Sequence, residues 1–359
     1  MEADKSCVVV CLFQVWFCSN SGRPGAAAFQ DYSVHSANEL ALTPDNITDI
    51  EAATLGTGIV TAGVALFRTL ELELELLTQA SELDHAAKPW MLVWGGAGST
   101  GVFLIQLARL AGFRVICAAS PVNQEYVKSL GADVVLDRWQ TAEELVDQIR
   151  AATADNVLLA VDNVGPKTAA LCAQVVAGSA SWREKNGVPP SSEPAPPARL
   201  LAIAGSPKAP AATGPTDPGA TPDAVRDVDQ PRLSFSTTFY GHHNFSAPFL
   251  DAITAALAAG AIRPGRLRLI EGGLDGIEAG LGEMKRGAGV SGFKLVARLS
   301  GADPVAEVKG AAKRGVEEEE AAAAVAVARA GQGEAKKRKV GAAGEVVTKA
   351  EVDAVTYRM

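Results

Sequence analysis

The chain has 359 residues, 48% of them hydrophobic and 21% charged, with a formal net charge of −8. That apolar fraction excludes disorder throughout, and the length fits about two domains of ordinary size. The acidic balance argues against a nucleic-acid partner, and the 5 cysteines are too few, and odd in number, for a disulfide scaffold. No apolar run reaches the roughly 18 residues of a membrane-spanning helix. The expectation is a cytoplasmic α/β protein with no membrane partner.

In chain order, the first apolar stretch is residues 8–17, preceded by Glu2 and Asp4 against Lys5. That charge is wrong for the n-region of an export signal, so a buried strand, or an atypical start to the chain, is expected. Met91-Leu-Val-Trp94 reads as a short strand buried on both faces. The apolar rhythm from Val102 through Ile105, Gln106 and Arg109 then predicts a helix. Residues 112–119 supply the next strand. After it come a helix over 125–130, a strand over 131–136, a helix over 141–151 and a strand over 157–161. Thr141 and Glu144 have the spacing of a capping box. Repeated βα alternation with apolar strands implies a doubly wound parallel sheet covered on both faces.

Prolines crowd residues 178–229, where 189, 190, 194, 196, 197, 207, 210, 215, 218 and 222 are all proline. Within that stretch, Arg199-Leu-Leu-Ala-Ile-Ala204 reads as one short buried strand. Residues 301–359 are Ala-rich, with 10 acidic and 10 basic residues and Tyr357 as the single aromatic. So little apolar surface predicts a disordered C-terminal tail, with a transient helix near 317–329. Its basic run, residues 336–340, reads either as a nuclear import signal or as a solvated charge run.

Between the first strand and its helix lies Gly96-Ala-Gly98-Ser-Thr-Gly101, a G-x-G-x-x-G pattern. Its glycines permit a tight turn, close backbone approach to a pyrophosphate and close packing of helix on strand. Free N–H groups at the helix start attract phosphates. At the end of the second strand, Ser120-Pro-Val-Asn123 stands where an NAD site usually has Asp or Glu for the ribose 2′-hydroxyl. With no carboxylate to repel a 2′-phosphate, and with Ser120 and Asn123 as donors, NADP(H) is the expected cofactor. Lys128 is either a phosphate contact or a solvated helix residue, and Arg138 adds positive charge nearby.

These pieces resemble the medium-chain dehydrogenase/reductase superfamily. The motifs that carry the resemblance are Gly25-Ala-Ala-Ala-Phe-Gln-Asp-Tyr32, Glu51-Ala-Ala-Thr-Leu-Gly56 with Thr61-Ala62, the glycine loop, Lys128-Ser-Leu-Gly-Ala-Asp133 and Gly289-Val-Ser-Gly-Phe-Lys-Leu-Val296. Ser120-Pro-x-Asn123 and Val290-Ser-Gly-x-Lys-Leu are most similar to the zinc-independent fungal branch, which includes trans-acting enoyl reductases of polyketide pathways. The resemblance implies a partial, shortened GroES-like β-rich catalytic domain over 1–54, an NADP-binding Rossmann domain over 55–235 and a return to the first domain over 236–300. It implies cofactor contacts at Thr61, Gly96, Ala97, Gly98, Ser99, Thr100, Gly101, Ser120, Pro121, Val122, Asn123, Arg138, Val290 and Ser291. Arg138 occupies a position that is often Tyr, and a guanidinium can stack on adenine or hold phosphate.

The implied activity is reduction of an activated carbon–carbon double bond, either in an enoyl thioester carried on a polyketide synthase or in a quinone-like acceptor. The alternative is a truncated, inactive NADP-binding protein. No metal is expected, since Cys7, Cys11 and Cys18 form no C-x-x-C pair and His35, His85, His242 and His243 are scattered. No catalytic residue is assigned. Tyr240 is a polar group able to face an enolate, in apolar surroundings that also suit a core tyrosine.

Overall fold

The computed structural model describes residues 14–19, 23–30, 32–78, 84–188, 198–205, 228–229, 239–240, 243–287, 289–298 and 355–358. The chain enters through β1 (Val15–Phe17), β2 (Tyr32–His35) and β3 (Leu40–Leu42), then α1 (Asp49–Ala52) and α2 (Gly56–Gly63). β1 pairs antiparallel with β3. The apolar run expected to form a strand does so over Val15–Phe17, and residues 8–13 lie outside the described residues.

The centre is a six-stranded parallel sheet. Its strands are β4 (Trp90–Trp94), β5 (Arg114–Ala119), β6 (Val134–Asp137), β7 (Val157–Asp162), β8 (Ala198–Ala202) and β9 (Val228–Asp229), in the spatial order β6-β5-β4-β7-β8-β9. Every residue of β4 is buried, so its sequence shows no polar alternation. Alternate side chains of the sheet feed two cores. Met91, Val93, Val115, Cys117 and Val161 meet Ile59, Phe103, Leu104 and Leu107 on one face. Leu92, Trp94, Ile116 and Ala160 meet Leu145, Ile149, Cys172 and Val176 on the other.

The helices follow from their local signals. α3 (Gly101–Leu110) starts directly behind the glycine loop, and α4 (Gln124–Ser129) follows β5. α5 (Ala142–Thr153) carries the expected capping box, with Glu144 N donating to Thr141 Oγ1 at 3.3 Å and Thr141 N donating to Glu144 Oε2 at 2.9 Å. α6 (Pro166–Ala177) was not anticipated from the sequence, although its Pro166 at the first helical position is a recognised start signal. α7 (Ala180–Lys185) follows, capped by Ser179, whose Oγ accepts from Trp182 N.

The strand expected inside the proline-rich stretch is β8, paired with β7. Its flanks at 189–197 and 206–227 lie outside the described residues. α8 (His243–Ala258) returns to pack on β3. β10 (Leu267–Ile270) and β11 (Lys294–Ala297) then pair in parallel, with α9 (Ile277–Arg286) between them in sequence. Of the residues read as a tail, 301–354 and with them the basic run at 336–340 lie outside the described residues. β12 (Val355–Arg358) departs from the tail expectation, because it pairs antiparallel with β2.

Candidate functional site

The direction of strand addition reverses at β4, with β5 and β6 on one side and β7 to β9 on the other. Open α/β sheets take ligands beyond the carboxyl ends of the strands at such a reversal. Residues 95–101 follow β4 there. Gly95 turns the chain with φ of +84°, and a Cβ there would sit 2.7 Å from Val164 Cγ2. The tight turn therefore belongs to Gly95, one residue before the motif that the sequence suggests. Gly96 serves packing instead, against Ile105 and Cys117. A Cβ at Gly101 would lie 2.2 Å from the Gly95 carbonyl oxygen, so only glycine lets α3 begin this close to β4.

Gly98 N donates to the Gly95 carbonyl at 3.0 Å. The N–H groups of Ala97, Ser99 and Thr100 donate to no group among the described residues. Gly98 and Ser99 are exposed. Free donors at the start of a 10-residue helix favour an anion over water.

Asn163 holds this loop from behind, a role not anticipated from the sequence. It lies one residue past β7 and donates from Nδ2 to the Trp94 carbonyl at 2.7 Å, which ties the ends of β4 and β7 together. Beside it, Asp162 accepts from the N–H groups of Val164 and Gly165 at 3.2 and 2.8 Å, and burial raises its carboxyl pKa. The available signal was an Asp-Asn pair closing an apolar strand at the reversal of strand order.

The structure brings together Ser120, Asn123 and Ser291. Asn123 is only 2% exposed, and its Nδ2 donates to Ser120 Oγ at 3.0 Å and to Ser291 Oγ at 2.9 Å. Both amide hydrogens are committed here, so Asn123 ties the loop after β5 to the return segment. Ser120 accepts that bond, and its own hydroxyl proton goes to no group among the described residues. Gly292, with φ of +79°, allows the close approach, because a Cβ there would meet Asn123 Oδ1 at 2.4 Å.

The remaining expected contacts are dispersed around this centre. Pro121 and Val122 project to solvent after β5, and Val290 is half-buried beside Ser291. Arg138 is exposed past the end of β6, with its guanidinium 4.1 Å from the centre of the Trp139 ring. Thr61 is buried in α2, the helix whose Gly58 stands against the Ser99 carbonyl. Lys128 pairs with exposed Glu125 at 3.1 Å one helical turn away, as a solvated residue does.

A narrow cleft beside the glycine loop is lined by Thr54, Ala97, Ser99, Tyr126, Arg266 and Lys294, among others. Its far wall is the backbone around residues 263–266, held from three sides. Gln106 on α3 accepts from Arg263 N at 2.8 Å and donates to the Arg263 carbonyl at 3.1 Å. Thr54 Oγ1 accepts from Gly265 N, and the Tyr126 hydroxyl accepts from Arg266 N, both at 3.0 Å. Burial raises the Tyr126 pKa, which keeps its hydroxyl neutral. An amide at Gln106, on an otherwise apolar helix face, was the one visible hint of this wall.

Tyr240 turns inward. Its hydroxyl donates toward the carbonyls of Ser19 and Cys18 at 3.0 and 3.3 Å, and burial drives its pKa upward. Burial likewise raises the Cys18 thiol. His35 is buried beside the Ser33 hydroxyl at 2.5 Å, and its pKa is lowered to about 4, first by burial and then by Arg23. His85 pairs with Asp133 at 2.6 Å. Among the described residues no three His, Cys, Asp or Glu side chains group as a metal site. Cys7, Cys11 and His242 lie outside the described residues.

A family model described as zinc-binding dehydrogenase matches residues 99–180, from inside the glycine loop to α7. A zinc-type alcohol dehydrogenase-like protein of Schizosaccharomyces pombe is 29% identical over 76% of this chain and 73% of its own length. Trans-enoyl reductase RAP2 of Pyricularia oryzae is 32% identical over 78% of this chain and 74% of its own. The chain belongs to the zinc-independent medium-chain dehydrogenase/reductases, related to the fungal trans-enoyl reductases. Members of this family are oxidoreductases, as is this chain, which shares their α/β fold. A solved structure of a probable oxidoreductase from Mycobacterium abscessus covers 72% of this chain at 20% identity, with a TM-score of 0.49; the match spans 66% of that chain. No helix among the described residues is long and apolar enough to cross a membrane.

Proposed function

We propose that this chain binds NADPH at the glycine loop and reduces an activated carbon–carbon double bond, as in an enoyl thioester presented by a polyketide synthase. The observation that carries the reading is the loop at the strand-order reversal, with unpaired N–H groups at Ala97, Ser99 and Thr100 and no carboxylate at the end of β5. Those donors fit a diphosphate, and Ser120 offers a hydroxyl where a carboxylate would repel a 2′-phosphate. The relatives named as trans-enoyl reductases support the reaction class. We assign residues 55–235 to cofactor binding and residues 1–54 with 236–300 to the substrate side.

NADPH bound there supplies a hydride. The protein's own part is placement: the backbone of 97–100 fixes the diphosphate, and the Asn163 tie keeps that backbone in position. Holding donor and acceptor in register removes entropy from the barrier. The test is oxidation of NADPH by the purified protein, followed by loss of nicotinamide absorbance with a crotonyl thioester and, separately, a quinone. Turnover of the thioester supports the proposal. Turnover of the quinone alone redirects it to the other acceptor class, and binding without turnover of either leaves a cofactor-binding protein.

A further inference from the structure

We infer that Arg266, with Lys294 beside it, is a second anchor for a phosphate group of the dinucleotide, facing the glycine loop across the cleft. The inference rests on the dinucleotide reading above and adds to it a cationic wall that none of the expected contacts includes. The cleft's lining residues include Arg266 and Lys294 and not one Asp or Glu. The Arg266 guanidinium makes no hydrogen bond or ion pair among the described residues, nor does the Lys294 ammonium. An unpaired guanidinium in a cleft without a carboxylate is a ready partner for an anion held at the loop.

The backbones of the two residues are joined, and the Arg266 side chain is oriented by aromatic rings. Lys294 N donates to the Arg266 carbonyl at 2.8 Å, so the residues stand side by side where β10 and β11 begin. The Arg266 backbone is pinned by the Tyr126 hydroxyl, and its guanidinium lies 3.9 Å from the Tyr126 ring centre. Phe293 flanks it at 6.0 Å. Stacking on an aromatic face orients a guanidinium while leaving its N–H edge free for a planar or phosphate acceptor. On the opposite side of the same cleft stands Ser99, whose N–H is one of the unpaired loop donors. The arrangement is two-sided, with backbone donors on one wall and side-chain cations on the other.

The two phosphate sources in the cofactor are the diphosphate and the ribose 2′-phosphate, and affinity measurements separate them. NADPH and NADH are titrated by fluorescence against wild type, Arg266→Gln and Arg266→Lys, with thermal melting as a control for folding. Arg266 is exposed, so neither variant opens a core. Arg266→Gln should weaken binding about 10-fold or more, the range expected for a charged hydrogen bond, and the loss should shrink at high salt. Arg266→Lys should recover part of it. A loss confined to NADPH assigns Arg266 to the 2′-phosphate, and an equal loss for both dinucleotides assigns it to the diphosphate. Unchanged binding of both by a folded Arg266→Gln overturns the inference while leaving the dinucleotide site standing. A wild-type protein that binds neither dinucleotide overturns both.

Discussion

The two walls of the cleft are built in opposite ways. The loop wall, residues 95–101, is local: its shape comes from glycines within seven positions and from the strand and helix that adjoin them. The return wall, around 263–266 and 292–294, is assembled by side chains from far away in sequence: Gln106, Thr54, Tyr126 and Asn123. One wall gives backbone donors with no charge of its own, and the other gives cations. The contrast shows that a motif can lay down backbone donors within a few positions, while the cations of the same cleft are brought there by long-range packing.

The comparison breaks most severely at the loop. Gly98→Val should abolish dinucleotide binding, because its branched side chain fills the space above the exposed loop backbone. A Cβ at that position already lies 3.3 Å from Asn163 Oδ1 and from the Gly95 carbonyl, so a modest loss of melting temperature should accompany it. Retained NADPH binding by the valine variant would show that this loop is not the phosphate cradle.

The return wall should fail more gently. Gln106→Ala removes the two bonds that clamp Arg263 and leaves a cavity in a residue site only 4% exposed. A loss of about 2 kcal/mol in stability is expected, with weaker cofactor binding through a loosened wall. Denaturant unfolding measures the first effect and titration the second. If stability falls and affinity holds, the wall is structural only.

Ser120→Asp sharpens the question of which anion is read. A carboxylate there faces a 2′-phosphate with like charge, so NADPH affinity should fall about 10-fold while NADH affinity holds or rises. Equal effects on both cofactors would place the ribose elsewhere. Thr141→Ala, far from either wall, should cost about 1 kcal/mol through loss of its cap and change neither affinity. It calibrates how much of any binding loss comes from stability alone.

Much of the fold was legible in the sequence because its signals are local. The apolar strand Trp90–Trp94, the glycine loop, the helical rhythm behind it and the Thr141–Glu144 box each depend on residues within one element, so each can be read where it stands. Ser120, Asn123 and Ser291 were also chosen from sequence, by resemblance. What the sequence left open was use. The two amide hydrogens of Asn123 serve Ser120 and Ser291, a tie that no spacing announces. Tyr240, a possible partner for an enolate, instead closes onto Cys18 and Ser19.

The parallel sheet, the glycine loop and the lack of a carboxylate after β5 are all written locally in the amino-acid order. That Gly95 makes the turn, that Asn163 ties β4 to β7 and that Arg266 and Lys294 line the same cleft as Ala97 and Ser99 follows from long-range packing alone. The physical reason is separation along the chain. Gln106 and Arg263 are 157 residues apart, as are their hydrogen-bonded atoms in sequence terms. No periodicity or spacing connects them until the sheet folds and brings the return segment back to α3.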